Sequence, residues 1–205
     1  MTPDLVKAHD FELYYMQIYY FKSYNDYRIE STLFCSLKKR GDIMRPIEVK
    51  AAAILDAPSE DVYATIADYR QGHPQILPKG SLYNLQVEQG GYGDGTIIRF
   101  KARALGVVRS FYQRVSEPVP GTVLVEQDID PIHNVVTTFT VTSMEQAQMS
   151  HVEILHTENA SPGLQGFIER LINPLVMTPI LRKELQLLES VARQRASLEK
   201  TSTKQ

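Results

Sequence analysis

The sequence predicts an α+β domain in which a curved antiparallel sheet wraps around one long C-terminal helix, with two short helices after the first strand. Three observations carry that prediction. The stretch from Pro46 to Pro78 reads as a strand followed by two short helices. Residues 81–157 alternate apolar and polar with a period of two. Pro162-Gly163 then opens a long leucine-rich segment of helical period. That order describes a sheet gripping a helix, with room for a ligand between them.

Each element has a local cause. Pro58 suits the first position of a helix, and Glu60 and Asp61 complement the dipole in its first turn. Val62 and Ile66 lie four apart and share a face. His73 and Leu77 precede prolines and are biased toward extended backbone, so the second helix must be short. Leu82 to Glu88 is a strand, and the glycine cluster at 90–95 is a turn. In Thr96 to Leu105, Ile98, Phe100, Ala102 and Ala104 take one face, while Arg99, Lys101 and Arg103 take the solvated one. Strands follow at Val107 to Val115, Thr122 to Gln127, His133 to Thr142 and Met149 to Thr157, the last two joined around Glu145-Gln146-Ala147. The closing helix is expected to reach about Leu198. Leu164, Phe167, Ile168, Leu171, Ile172 and Leu175 form its apolar stripe, continued by Leu181, Leu185, Leu188 and Val191. Pro174 and Pro179 predict a kink or break in it.

Composition narrows the class. An apolar fraction of 43% over 205 residues supports a packed core, as one domain with extra material or as two very small domains. The net charge of −2, with both signs interspersed, argues against general affinity for nucleic acid or anionic membranes. Cys35 is the single cysteine and cannot form an internal disulfide, which fits a cytoplasmic setting. No apolar run approaches the ~20 residues of a membrane helix, and no signal peptide is read. Composition shifts near residue 44, because Tyr14, Tyr15, Tyr19, Tyr20, Tyr24 and Tyr27 all precede it. Met44 reads as a natural start, so the expected organisation is an N-terminal extension at 1–43, a domain at 44–198 and a polar tail at 199–205. The extension is either outside the fold or a docking segment whose aromatics pack on the domain or a partner.

The residues from Leu55-Asp56-Ala57-Pro58 to Val62-Tyr63, together with Ala67-Asp68-Tyr69, Gly95-Thr96, Val115-Ser116-Glu117-Pro118 and the leucine-rich closing helix, carry a family resemblance. Over roughly residues 46–196 the chain resembles the START-like, helix-grip superfamily (SRPBCC), in its polyketide cyclase/dehydrase branch. Tyr63 stands where many members carry tryptophan. The resemblance implies a hydrophobic cavity between sheet and long helix. It also implies ligands such as lipids, sterols, quinones or polyketides, and in some members cyclisation or dehydration.

Motif by motif, the chain carries no Walker loop, no H-E-x-x-H and no paired C-x-x-C. The glycine cluster lies between strands, so it reads as a hairpin turn. Asp128-Ile129-Asp130 with His133 offers metal-ligand atoms, but Pro131 makes a tight turn the better reading, and no metal site or cofactor is expected.

The informative constellation is polar groups on the apolar face. If Phe100 faces inward, Phe111 brings Arg109 and Gln113 with it, Leu124 brings Glu126, and Ile154 brings His156. A one-residue slip would put all of these polar groups in solvent. A structural ion pair at the sheet rim is the third possibility. The candidate ligand-binding set is Phe100, Arg109, Phe111, Leu124, Glu126, Phe139, Ile154, His156, His73 and Leu171, with His73 or His156 as the candidate acid or base. The expected function is binding of a small hydrophobic ligand, with a cofactor-independent cyclase or dehydratase as the alternative. A protein-interaction module with a collapsed pocket is the third class.

Overall fold

The computed structural model describes residues 46–129, 134–144 and 148–202. Met44–Ala102 and Arg109–Gln205 form one compact unit, whose fold is described here. It begins with β1 (Ile47–Leu55), α1 (Ser59–Ala67) and α2 (His73–Ile76). Then come β2 (Leu82–Gln89), β3 (Ile97–Ala104), β4 (Val107–Val119), β5 (Val123–Asp128), β6 (Val136–Ser143) and β7 (Ser150–Glu158). The last element is α3 (Gly163–Ser202). The strands form one seven-stranded antiparallel sheet in the order β1-β7-β6-β5-β4-β3-β2. Only β1 is out of sequence: it pairs with β7, so the first and last strands lie side by side under the long helix.

Local chemistry explains the turns. Extended Pro58 starts α1, and the Val62 amide donates to the Pro58 carbonyl at 3.0 Å. The helix ends at Ala67, after which the Asp68 carboxylate accepts from the amides of Arg70 (3.1 Å) and Gln71 (3.0 Å). That Asx turn reverses the chain into α2. The reversal brings residue 72 against α1, where a Cβ would fall 2.5 Å from the Thr65 carbonyl oxygen, so glycine is required. Tyr63 donates its hydroxyl to Glu117 at 2.5 Å, and the other Glu117 oxygen accepts from the Asp94 amide at 2.8 Å. This pins α1 to the end of β4 and to the glycine-rich β2–β3 turn.

The core lies between the inward face of the sheet, α1, α2 and the C-terminal half of α3. Val62, Ile66, Leu124, Ile154 and Leu188 are all fully buried in it. Each contributes about 1.5–3 kcal/mol of apolar burial.

Three expectations change. The helix α3 has no break at Pro174 or Pro179, and it continues to Ser202 instead of ending near Leu198. Its apolar stripe is only half used. Leu181, Leu185 and Leu188 are buried, but Leu164, Phe167, Leu171 and Leu175 are exposed, Leu171 by 57%. Leu171 is therefore not part of a buried wall. Helical period shows which residues share a face, but not how far along the helix its packing partners reach. The Glu145-Gln146-Ala147 turn, Asp130, His133 and the extension at 1–43 lie outside the described residues. No helix among the described residues is long and apolar enough to cross a membrane.

Candidate functional site

Register builds the site. Across the sheet, Ala51 stands opposite Ile154, Ile154 opposite Phe139, and Phe139 opposite Leu124. This is an apolar row, with Leu124, Phe139 and Ile154 at most 1% exposed. One step along, Val49 faces His156, His156 faces Thr137, and Thr137 faces Glu126. A polar row thus crosses three adjacent strands inside the fold. On β4, Val115 stands opposite Glu126 and Gln113 opposite Asp128. Alternation then puts Phe111 and Arg109 on the same inward side. Phe111 stacks on Phe100 of β3, with centroids 5.0 Å apart and planes 11° apart.

Two polar clusters stand on this face. The first joins α1, α2, β5 and α3. Tyr69 donates its hydroxyl to Glu126 at 2.6 Å. It stacks on His73 at 4.5 Å, and His73 meets Phe139 edge-on at 6.0 Å. His73 Nδ1 lies 2.8 Å from the Ile66 carbonyl, which can only accept, so that nitrogen carries hydrogen. Its Nε2 lies 3.5 Å from Glu126. Burial first, and then the Glu126 charge, push the Tyr69 phenol well above its ordinary range. Burial and Glu126 do the same to the carboxyl of Glu184, which is 4% exposed. Glu184 therefore holds its proton more strongly than an ordinary carboxyl does.

The second cluster lies along β4, β6, β7 and the first half of α3. Arg109 sits over the Phe111 ring at 4.9 Å and donates through Nη1 to Glu158 at 3.2 Å. The other Glu158 oxygen accepts from the Asn173 amide of α3. His156 lies 3.2 Å from the Thr137 hydroxyl. Burial first, and then the Arg109 charge, pull His156 down to about 4. Its imidazole is therefore neutral at pH 7, a hydrogen-bonding group and not a ready proton donor. Arg109 Nη2 and Gln113 Oε1 are among the buried side-chain atoms, within the described residues, that have no hydrogen-bond partner. Beside them Phe100, Arg109, Phe111, Asp128, Asn84 and Gln86 help to line a cleft of about 270 Å³.

The structure thus places Phe100, Arg109, Phe111, Leu124, Glu126, Phe139, Ile154 and His156 on one face of the sheet, with His73 above Glu126. Leu124, Phe139 and Ile154 are packed into the core, whereas Phe100, Phe111 and Arg109 reach the cleft. Leu171 stands apart, in solvent. Sequence reading missed Tyr69, Glu184, Glu158 and Asn173 as site residues, and left Gln113 out of the set. One signal was available: Glu184 lies three residues after Leu181 and four before Leu188, on the buried stripe.

The sheet order, the paired short helices and the long closing helix define a START-like helix-grip domain. Solved structures agree. The KanY protein is 25% identical, with a TM-score of 0.63 over 73% of this chain and 99% of its own. The Zhui aromatase/cyclase from Streptomyces sp. R1128 is 16% identical, with a TM-score of 0.61 over 74% of this chain and 96% of its own. A START superfamily protein from Mycobacterium smegmatis is 14% identical, with a TM-score of 0.54 over 72% and 97%. The chain has the START-like fold of the polyketide cyclases. No protein-family model and no curated protein matches it.

Proposed function

We propose that the domain binds a small, mainly apolar ligand such as a lipid, quinone or polyketide-like compound, at the Phe100–Phe111 end of the sheet's inward face. One observation carries this reading. Arg109 Nη2 and Gln113 Oε1 are buried without partners beside a stacked aromatic pair and a cleft. An unsatisfied buried polar group costs about 1–3 kcal/mol, and a ligand that meets it recovers that cost. The structural likeness to an aromatase/cyclase and a START superfamily protein supports the same reading. A cytoplasmic setting belongs to this proposal, supported by the unpaired Cys35.

The test is binding of an apolar fluorescent probe. Phe100→Arg places a charge at the cleft and should abolish binding, while Lys183→Ala, exposed on α3 and away from the cleft, should leave it intact. Equal loss in both, or loss in neither, refutes the site. Native mass spectrometry of the purified protein, followed by organic extraction, would identify a retained ligand.

A second reading is a cofactor-independent cyclase or dehydratase working on the same wall. The row Glu126–Thr137–His156 favours it, since it sets a carboxylate, a hydroxyl and an imidazole on adjacent strands. Turnover of a polyketide-like substrate that is lost in His156→Phe, with binding retained, would distinguish it from simple binding.

A further inference from the structure

Resting on the binding reading above, we infer that Gln113, two residues along β4 from the cleft residue Phe111, is a specificity-determining residue. Its Oε1 reads a hydroxyl or N–H donor at one end of a neutral, elongated ligand, while Arg109 Nη2 holds a carbonyl oxygen at the other end.

The first argument is the state of Gln113. It is 1% exposed, yet its Oε1 has no hydrogen-bond partner. Buried side-chain amides are almost always satisfied, because the desolvated carbonyl otherwise weakens the fold. Leucine or methionine would fill the same volume without that cost. A buried amide that destabilises the free protein is explained by what it meets when the ligand is bound. Asp128, opposite on β5, also lines the cleft and already makes another interaction.

The second argument is spacing. Arg109 and Gln113 are four residues apart on one face of β4, so their Cα atoms are separated by about 13 Å. Arg109 leans over Phe111, the residue between them, which brings its guanidinium nearer to Gln113 than the backbone spacing alone. Phe111 is covered by Arg109 and stacked on Phe100, so the ligand lies across the inward tips of this stack. A two-ring conjugated system with an oxygen at each end has the required length.

The third argument is charge. Glu158 already neutralises Arg109 at 3.2 Å, and Glu126 is a further acid on the same face. The cleft's other cations, Arg99 and Lys101, flank Phe100 on the opposite face of β3, so a ligand carboxylate at Arg109 would meet a guanidinium already paired with Glu158. Arg109 Nη2 therefore takes a neutral carbonyl better than a carboxylate, and the remaining polar demand, at Gln113, is for a donor.

The experiment uses three naphthalene probes on the full chain: 6-acetyl-2-naphthol, 2-acetylnaphthalene, which lacks the hydroxyl, and 6-hydroxy-2-naphthoate, which replaces the ketone by an anion. Wild type should bind 6-acetyl-2-naphthol about three- to tenfold tighter than 2-acetylnaphthalene, the gain of one hydrogen bond to a buried acceptor. In Gln113→Leu that ratio should collapse to about one, with binding of 2-acetylnaphthalene undiminished. Gln113→Leu should also melt no lower than wild type, since it removes a buried carbonyl oxygen that has no partner. Gln113→Met serves the same purpose if the leucine variant misfolds. A ratio that persists in both variants overturns the role of Gln113 while leaving the cleft intact. Tighter binding of the naphthoate than of the ketone overturns the neutral-ligand part. If no naphthyl probe binds wild type, the cleft reading fails, and this inference fails with it.

Discussion

Replacing His156 by glutamine should remove a large part of the protein's sensitivity to acid. The imidazole is buried beside the Arg109 guanidinium and titrates near 4 in the folded chain, against an ordinary value of 6.5. A depressed histidine makes the folded state the poorer proton binder. Above pH 6.5 neither state is charged at this site and the group costs nothing. As pH falls below 6.5 the unfolded chain takes up a proton that the folded chain refuses, and stability drops until the folded imidazole also protonates near pH 4. The difference of about 2.5 units is worth about 3 kcal/mol, at ~1.4 kcal/mol per unit. Glutamine keeps a polar group near Thr137 and does not titrate. Urea denaturation at pH 7.5 and pH 4.0 measures the effect. Wild type should lose about 3 kcal/mol more than His156→Gln between the two conditions, common losses from other groups cancelling in the comparison. Parallel losses in the two proteins would mean that the folded chain protonates His156 at its ordinary value, and the assignment of a desolvated imidazole beside Arg109 would be wrong.

Glu184→Gln should raise the melting temperature at pH 7.5 and flatten its decline toward alkaline pH. The folded carboxyl is raised, so the wild type pays to keep it protonated once pH exceeds the unfolded value; a higher stability for wild type would contradict this. Leu188→Ala should cost about 2–5 kcal/mol in chemical denaturation, whereas Leu171→Asp should cost less than about 0.5, because Leu188 is fully buried and Leu171 is exposed. Residues 44–205 expressed alone are expected to melt cooperatively and near the temperature of the full chain. Loss of cooperative melting would make the tyrosine-rich segment part of the core.

How much of this was legible in the sequence depends on which physical signal carried it. The alternation Ile98–Phe100–Ala102 against Arg99–Lys101–Arg103 fixes a strand's faces without any tertiary knowledge, since the period is two. The same rule put Arg109, Glu126 and His156 on the inward side, where the structure has them. What alternation lacks is range. Tyr69 and Glu126 are 57 residues apart, and their hydrogen bond exists only because the Asx turn at Asp68 aims Tyr69 into the sheet. The misplacement of Leu171 has a similar origin. Leu171 and Leu185 look alike in the helical pattern, yet only the second meets the sheet and the short helices. Glu184 was hidden because glutamate on a helix defaults to solvent, and only its position between Leu181 and Leu188 says otherwise.

The two prolines inside α3 bear on how this protein breathes. Pro174 and Pro179 supply no N–H, so the carbonyls of Arg170 and Leu175 lose their helical partners. They fall at the junction between an exposed half, with Leu164, Phe167, Leu171 and Leu175 in solvent, and a docked half, with Leu181, Leu185, Leu188 and Ala192 buried. Local opening free energy follows buried contact and intact backbone hydrogen bonding, so amides of 164–178 should exchange with deuterium well before those of 181–196. Asn173 lies in the early-exchanging half, and its link to Glu158, and through Glu158 to Arg109, breaks in the same event. Fraying of one half-helix therefore reaches the candidate site while the other half still holds the fold together.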